Sequence, residues 1–230
     1  MSGKSSKNSS TKKHICIDFE GEGRKKNKYL PQPALLGAFV PNLNGRGKKY
    51  FLWLLKPELA PMERSPWLPG NAKLRKVCSF EEAIQDVIDL SLERDCRLIS
   101  YSIHEKSMVK EQLGERNSTR HGFSERYFNI KPKAQALRNR RKFEAPDHSL
   151  DSLLKALAPK NKYPPAPKGG AAVACRRLQR AGQESRWWRK WAESEREIAK
   201  DLLLYNIGDC QAVWRLTNRV MANYNLPELR

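Results

Sequence analysis

The sequence predicts an α/β fold in which a mixed sheet is flanked by helices, and three observations support that prediction. Three short apolar segments near the N-terminus are separated by turn-forming Gly, Asn and Pro residues, as in an antiparallel meander. Helical and extended patterns alternate after them, and helical patterns dominate the second half of the chain. The 230 residues, 39% of them hydrophobic, are enough for the core of one domain.

The predicted meander consists of three strands. They cover residues 14–19, 34–40 and 48–55. Residues 1–12 are rich in Ser, Lys and Asn, which predicts a disordered basic tail. The predicted domain therefore covers residues 13–230.

An alternating region follows the meander. Residues 57–71 are rich in Pro and predict a loop. Ser79 and Glu82 have the spacing of a capping box, which predicts the start of an amphipathic helix. Residues 96–102 predict a short buried strand, and the segment HEKSMVKEQLG predicts a helix that ends at Gly114.

The remaining segments are mostly helical in pattern, after one more extended piece, RYFNI. The predicted helices cover residues 131–142, 149–159, 171–182 and 186–222. Residues 160–170 predict a loop, and Gly208 predicts a break in the last helix. A three-strand antiparallel meander followed by helix–strand units, which add parallel strands, is typical of a ribonuclease-H-like fold.

Two acidic residues interrupt the apolar first strand, HICIDFEGEG. Asp18 and Glu20 are two residues apart, so they point to the same face of the strand. Side by side they repel each other and lose solvation, and a divalent cation such as Mg²⁺ would turn that cost into affinity. The alternative is an edge strand whose acids are solvated. The apolar residues Ile15, Ile17 and Phe19 weaken that alternative, because they indicate that the other face is buried.

A third acid stands in the segment LLLYNIGDCQAVWRL. Tyr205 and Asp209 are four residues apart, which places them on one face of a helix. The leucines and valine around them predict that the helix is buried, and a buried Asp requires a partner. Alternatively, Asp209 follows Gly208 as the N-cap of a new helical segment.

The chain is strongly basic. Lys and Arg number 44 against 25 acidic residues, for a formal net charge of +19. Such a balance indicates a polyanionic partner, most simply nucleic acid, although it also serves solubility. We expect non-specific, salt-sensitive contacts to the phosphate backbone. The candidate nucleic-acid-binding residues are Arg138, Arg140, Arg141, Arg176, Arg177, Arg180, Arg186 and Arg189.

Three tryptophans lie among the last of these arginines, in the segment SRWWRKWAESER. Exposed tryptophans stack on bases. Alternatively Trp187 and Trp191, four residues apart, pack into the core. We expect at least one buried tryptophan beside an arginine face that binds the phosphate backbone.

Several classes of protein are disfavoured. No apolar run approaches the roughly 20 residues that a membrane span needs, and no apolar segment follows the basic N-terminus as in a signal peptide. The five cysteines form no CxxC pair and have no histidine at zinc-ligand spacing. The sequence therefore predicts a cytoplasmic protein with no membrane partner and no zinc site.

The acidic motifs together resemble those of a known nuclease superfamily. Asp-x-Glu near the N-terminus with Tyr-x-x-x-Asp near the C-terminus is similar to the DEDD 3′–5′ exonucleases that carry a tyrosine in the last motif. The segment LISYSIHEKSMVKEQLG resembles a Tyr-x-x-x-Glu motif of the ribonuclease-H-like domain in predicted RecB-family nucleases. The likeness extends over about residues 13–222.

This resemblance implies a metal-dependent nuclease. Asp18, Glu20, Glu105 and Asp209 would hold two Mg²⁺ or Mn²⁺ ions, and Tyr205 would orient the attacking water. The implied reaction is two-metal hydrolysis of phosphodiester bonds in DNA or RNA, from the 3′ end.

Two departures from the family pattern keep other functions open. Glu105 stands where many DEDD enzymes have Asp, and without the family it reads equally well as an acid favoured by a helix N-terminus. Asn129 stands where many members of the narrower family have Asp. One alternative is therefore a catalytically impaired nucleic-acid-binding module on the same fold. Another is a basic structural protein, in which the four acids would lie far apart.

Overall fold

The computed structural model describes residues 14–23, 32–41, 48–66, 72–75, 77–141, 145–157 and 165–224. The predicted tail, residues 1–12, lies outside the described residues, as do parts of the predicted loops.

The six strands form a single mixed sheet. They are β1 (His14–Glu20), β2 (Leu35–Pro41), β3 (Lys48–Leu54), β4 (Ala72–Arg75), β5 (Arg97–Ser100) and β6 (Tyr127–Asn129). The strand order is β4-β3-β2-β1-β5-β6. β1, β2 and β3 are antiparallel neighbours, whereas β4 pairs in parallel with β3, β5 with β1, and β6 with β5. The predicted α/β class, with a meander plus parallel strands flanked by helices, is confirmed and is consistent with a ribonuclease-H-like arrangement.

Seven α-helices are present in the described part of the chain. They are α1 (Phe80–Glu93), α2 (His104–Leu113), α3 (Ser118–Arg126), α4 (Lys131–Arg141), α5 (Leu150–Leu157), α6 (Ala171–Glu184) and α7 (Glu193–Tyr224). The predicted capping box is confirmed at α1, where the Ser79 side chain accepts from the Glu82 amide and the Glu82 carboxylate accepts from the Ser79 amide at 2.7 Å. Gly114 ends α2 with a φ of 73°. None of these helices combines the length and the apolar composition that crossing a bilayer requires.

The predicted Pro-rich loop is wrong over most of its length. Pro57–Arg64 forms a 3₁₀ helix that buries Leu59 and Met62, and residues 67–71 lie outside the described part. Proline fixes φ near the helical value, so it suits this short helix at its first turn.

The predicted last helix differs from the structure at both its start and its middle. α7 begins at Glu193, because residues 185–192 form a compact turn with a 3₁₀ helix at Trp188–Lys190. The helix then runs unbroken for 32 residues, so the break near Gly208 is wrong. A glycine inside a helix costs only about 1 kcal/mol, and buried apolar residues around this one, Ile207, Cys210 and Val213, hold the helix on the sheet.

Two apolar clusters cover the two faces of the sheet. Alternation along β1 sends Ile15, Ile17 and Phe19 into the cluster formed with α1, α2 and α3. Cys16 points the other way, into the cluster formed with α4, α5, α6 and α7. Asp18 shares the parity of Cys16 and therefore lies under α7, on the same face of the sheet as Glu20.

Candidate metal centre

The first two acidic residues lie on an interior strand. β1 pairs with β2 on one side and with β5 on the other, which rules out the edge-strand alternative. Glu20 is buried, with 7% of its surface exposed, and Asp18 is partly exposed. Neither carboxylate is fully exposed to water, so each loses solvation in the folded protein. This unfavourable desolvation must be offset by another interaction.

Helix α7 brings the third acid to the first two. It packs across β1 and β2, and its Asp209 is 7% exposed. Asp18, Glu20 and Asp209 each offer one carboxylate oxygen, and these oxygens all lie within 4.8 Å of one another. The N-cap alternative is wrong, because Asp209 lies inside a continuous helix. Three of the four acids that a basic structural protein would keep far apart are close together.

The electrostatics of this three-carboxylate cluster disfavour three bare negative charges. Burial raises the pKa of Asp18 well above its ordinary value, and the charges of Glu20, Asp209 and Glu105 raise it further. Burial, followed by the charge of Asp209, raises the pKa of Glu20 to about 8. Either protons or a cation must offset this repulsion.

Glu105 lies close to the cluster but is not one of its three members. It stands in the first turn of α2, is 5% exposed, and its Oε2 accepts from Ser100 Oγ at 2.8 Å and Ser102 Oγ at 3.1 Å. Burial raises its pKa, and its charge in turn raises the pKa of Asp18 and Glu20. Its predicted role as a metal ligand stays a prediction, and its position also fits the alternative of an acid at a helix N-terminus.

Asn206 is a site residue that the sequence reasoning missed. Its side chain is fully buried, and its Nδ2 donates to Asp18 Oδ2 at 3.0 Å and to the Asp18 carbonyl oxygen at 3.3 Å. Its hydrogen bonding also lowers the pKa of Glu20. The available signal was its position three residues before Asp209, on the same helix face. Asn206 thus fixes the orientation of the Asp18 carboxylate.

Gly37 makes room for that asparagine. It lies opposite Asp18 in the β1–β2 register. A Cβ at this position would come within 1.8 Å of Asn206 Oδ1. The absence of a side chain on β2 is therefore what lets α7 carry Asn206 down to the strand.

The structure also shows the positions of Tyr205 and Asn129, the two other residues that the comparison of motifs singled out. Tyr205 is half-buried on α7, one turn before Asp209 and therefore on the same side of the helix. Asn129 Oδ1 accepts from the Lys131 amide at 3.0 Å, at the start of α4. Asn129 thus has a local structural role, since it accepts from a first-turn amide that has no partner within the helix.

The cluster borders an open cleft of about 240 Å³. Glu20, Gly21 and Gly23 line it from the end of β1, His104 from α2, and Ala171 from the first turn of α6. Glu20 is the member of the three-carboxylate cluster that lines this cleft.

The predicted basic residues divide into paired and exposed groups. Arg140 and Arg141 donate through Nη2 to the carbonyl and side-chain oxygens of Asn223, at 3.1 and 2.9 Å, near the C-terminal end of α7. Arg138 donates to the His148 ring at 3.1 Å. Arg140 and Arg141 therefore contribute to holding the end of the last helix, in line with the preference for cations at a helix C-terminus, whereas Arg138 holds the segment before α5.

On α6 and the turn after it, the arginines are more available. Arg177 forms an ion pair with Glu195 at 2.9 Å, whereas Arg176 donates to the Glu22 carbonyl oxygen at 2.9 Å, beside the open cleft. Arg180, Arg186 and Arg189 are exposed. The exposed basic surface therefore extends from α6 to the turn before α7.

The tryptophans near α7 are partly buried, as expected, but in a different pairing. Trp188 and Trp191 are 8% and 3% exposed and pack together with ring centroids 5.3 Å apart, whereas Trp187 is 58% exposed. The expectation of at least one buried tryptophan is confirmed. The alternative that Trp187 packs into the core is wrong.

The raised pKa of Glu20 predicts a pH-dependent stability for the metal-free protein. The fold holds this carboxyl at a pKa of about 8, against an ordinary 4.5, so it favours the protonated form. Stability present below about pH 4.5 is therefore lost as the pH rises toward 8. Glu20→Gln removes this term, and we expect its melting temperature in EDTA to exceed that of the wild type by roughly 5 °C at pH 8 and to match it at pH 5.

The control for this measurement is Glu115→Gln, at an exposed position. We expect that variant to follow the wild-type melting temperature at both pH values. If Glu20→Gln lost as much stability between pH 5 and pH 8 as the wild type does, the raised pKa of Glu20 would not be the source of that loss.

The features that bear on function are thus the three-carboxylate cluster, the adjoining cleft and an exposed basic surface. Carboxylate oxygens grouped within 4.8 Å suit a hard divalent cation. The basic surface suits a phosphate polymer. No family model matches this chain, and no curated protein is similar to it at a significant level.

Proposed function

We propose that this protein is a metal-dependent nuclease that hydrolyses phosphodiester bonds of DNA or RNA as a 3′–5′ exonuclease. The convergence of Asp18, Glu20 and Asp209 carries the proposal, because residues from β1 and α7 place three carboxylate oxygens within 4.8 Å. The formal net charge of +19 supports a nucleic-acid substrate.

The donor set fits Mg²⁺ or Mn²⁺. Asp18, Glu20 and Asp209 would hold the first ion, and Glu105 is the carboxylate that the resemblance adds for a two-ion site. The pKa values of Asp18 and Glu20 are raised by burial and by neighbouring negative charges, and a bound cation would offset that repulsion. When bound, such ions supply positive charge for the scissile phosphate and make water a stronger nucleophile at neutral pH.

The chain's own residues perform the remaining tasks. Asn206 donates to Asp18 Oδ2 and so holds the Asp18 carboxylate in one orientation. The carboxylate is therefore aligned before the ligand arrives. Glu20 lines the open cleft, which would be the route by which a phosphate approaches the cluster. Tyr205, on the same side of α7 as Asp209, is the group proposed to orient the attacking water.

Incubation with end-labelled oligonucleotides tests the proposal. Single- and double-stranded DNA and RNA are each offered with Mg²⁺, with Mn²⁺ and with EDTA. We expect cleavage with a metal ion and none with EDTA, and a product ladder that recedes from the 3′ end. Absence of cleavage from all four substrates with either metal would contradict the proposal.

A binding module with impaired catalysis is the second candidate, and the position of Glu105 favours it. Glu105 Oε2 already accepts two serine hydroxyls, and Glu105 stands outside the three-carboxylate cluster. Mn²⁺ titration followed by electron paramagnetic resonance separates the candidates. Tight oligonucleotide binding with one Mn²⁺ or none, and no cleavage, would identify the binding module.

A further inference from the structure

A second, basic cleft of about 460 Å³ opens at the turn between α6 and α7. Arg64, Trp187, Trp188 and Arg189 line it. The Arg64 guanidinium lies 5.6 Å from the centroid of the Trp187 ring, within cation–π range. No carboxylate stands among the described residues that line this cleft, so its charge is positive throughout.

The exposure of Trp187 is built into the turn. Trp188 and Trp191 anchor it in the core, Trp191 Nε1 donates to the Ser185 carbonyl oxygen at 2.9 Å, and the Trp187 amide donates to Ser185 Oγ at 3.2 Å. The backbone is therefore held on both sides of Trp187 while its ring is 58% exposed. A fixed, solvent-facing indole beside two arginines is the arrangement that stacks on a base.

Helix α6 connects this Arg64–Trp187 cleft to the metal centre. Its first residue, Ala171, lines the cleft beside Glu20, and its 14 residues span about 20 Å at 1.5 Å per residue. Arg176 and Arg180 lie one turn apart on its exposed face. Gly182 lets α6 pack closely against the 3₁₀ helix Pro57–Arg64, because a Cβ on Gly182 would lie 1.8 Å from the Glu58 carbonyl oxygen.

We propose that the Arg64–Trp187 cleft binds a base and its phosphate in a single-stranded nucleic acid whose end lies at the carboxylate cluster. The inference rests on the proposed function and adds the substrate class. Stacking on Trp187 needs an unpaired base, and bases in a duplex do not expose their faces. Arg64 and Arg189 neutralise phosphates at the Arg64–Trp187 cleft. Arg176 and Arg180 contact the phosphates of the nucleic acid between the two clefts.

The separation of the two clefts predicts a length requirement. A distance of about 20 Å corresponds to about six nucleotides at a stacked rise of about 3.4 Å, and to fewer when the strand is extended. A strand of eight nucleotides therefore reaches from the carboxylates to Trp187, and a dinucleotide bound at the carboxylates does not.

Fluorescence anisotropy with labelled oligonucleotides of two, four, eight and twelve nucleotides tests the proposal, in Mg²⁺ and with phosphorothioate linkages that resist cleavage. We expect Trp187→Ala to weaken binding of the eight- and twelve-nucleotide single strands about tenfold and to leave the dinucleotide unchanged. Trp187→Phe should retain most of the affinity, because it keeps an aromatic face. Arg64→Ala should weaken the same strands and reduce the salt dependence of their binding, and Arg116→Ala, at an exposed position on another surface, is the matched control.

Equal affinity of wild type and Trp187→Ala for the long strands would overturn the proposal. So would an equal loss for duplex and single strand, or competition by polyglutamate as strong as that by oligonucleotide. The exonuclease assay is scored separately. Trp187-dependent binding without cleavage overturns only the nuclease assignment, and cleavage with Trp187-independent binding overturns only this cleft's role.

Discussion

Asp209→Asn is expected to lower the rate of phosphodiester hydrolysis at least about a thousandfold, a loss of roughly 4 kcal/mol in transition-state stabilisation. Asp209 is the only member of the three-carboxylate cluster that α7 supplies. Its amide counterpart has nearly the same shape but no charge, so the affinity for a divalent cation falls while the packing is kept. The checks are initial rates in Mn²⁺ and the Mn²⁺ dissociation constant by electron paramagnetic resonance.

The matched control is Asp201→Asn, on the same helix but exposed. It should keep wild-type rates and Mn²⁺ affinity. The metal-free Asp209→Asn variant should melt no lower than wild type, since it removes one of three mutually repelling charges. Retention of both Mn²⁺ binding and cleavage by Asp209→Asn would exclude this cluster as the catalytic centre.

Gly37→Ala is expected to destabilise the protein by about 3 kcal/mol, a large effect for a single methyl group. The new Cβ would come within 1.8 Å of Asn206 Oδ1, 2.8 Å of its Cγ and 3.2 Å of Cys210 Sγ. Asn206 is fully buried, so its side chain has no solvent-filled space into which to move. Urea unfolding measures the loss, and displacement of Asn206 should also weaken Mn²⁺ binding.

A double-mutant cycle isolates the contact. In an Asn206→Ala background the clashing oxygen and carbon are gone, so Gly37→Ala should cost at least 1 kcal/mol less than in the wild type. Asn206→Ala alone should weaken Mn²⁺ binding about tenfold, because Asp18 loses the donor that orients it. Strict additivity of the two substitutions would show that Gly37 acts through another neighbour.

The elements that the sequence predicted correctly are those whose local pattern and tertiary role agree. The meander combines apolar strands with Gly, Asn and Pro turns, and α1 begins with a capping box. β4 and α3 were missed for physical reasons. β4 is a four-residue edge strand, AKLR, and α3 is a polar helix that contains Gly122 and buries only Thr119 and Phe123.

The candidate site divides in the same way. Period-two spacing along β1 and four-residue spacing along α7 indicate which acids share a face, so Asp18, Glu20 and Asp209 could be identified from the sequence. Their meeting could not be derived from spacing, because it depends on how α7 crosses the sheet. Gly37 gave no signal, since a glycine in a strand is common, and Asn206 gave only its position three residues before Asp209. The two residues matter together, because Gly37 leaves the space that the Asn206 side chain occupies.

The carboxylate cluster joins the first and last elements of the described chain, β1 and α7. A cation held there would act as a reversible cross-link that closes nearly the whole domain into one loop, and so would stabilise it by binding only the folded form. A chain still emerging from the ribosome, with α7 not yet made, has two of the three carboxylates. The three-carboxylate cluster would then be complete only once synthesis has passed Asp209.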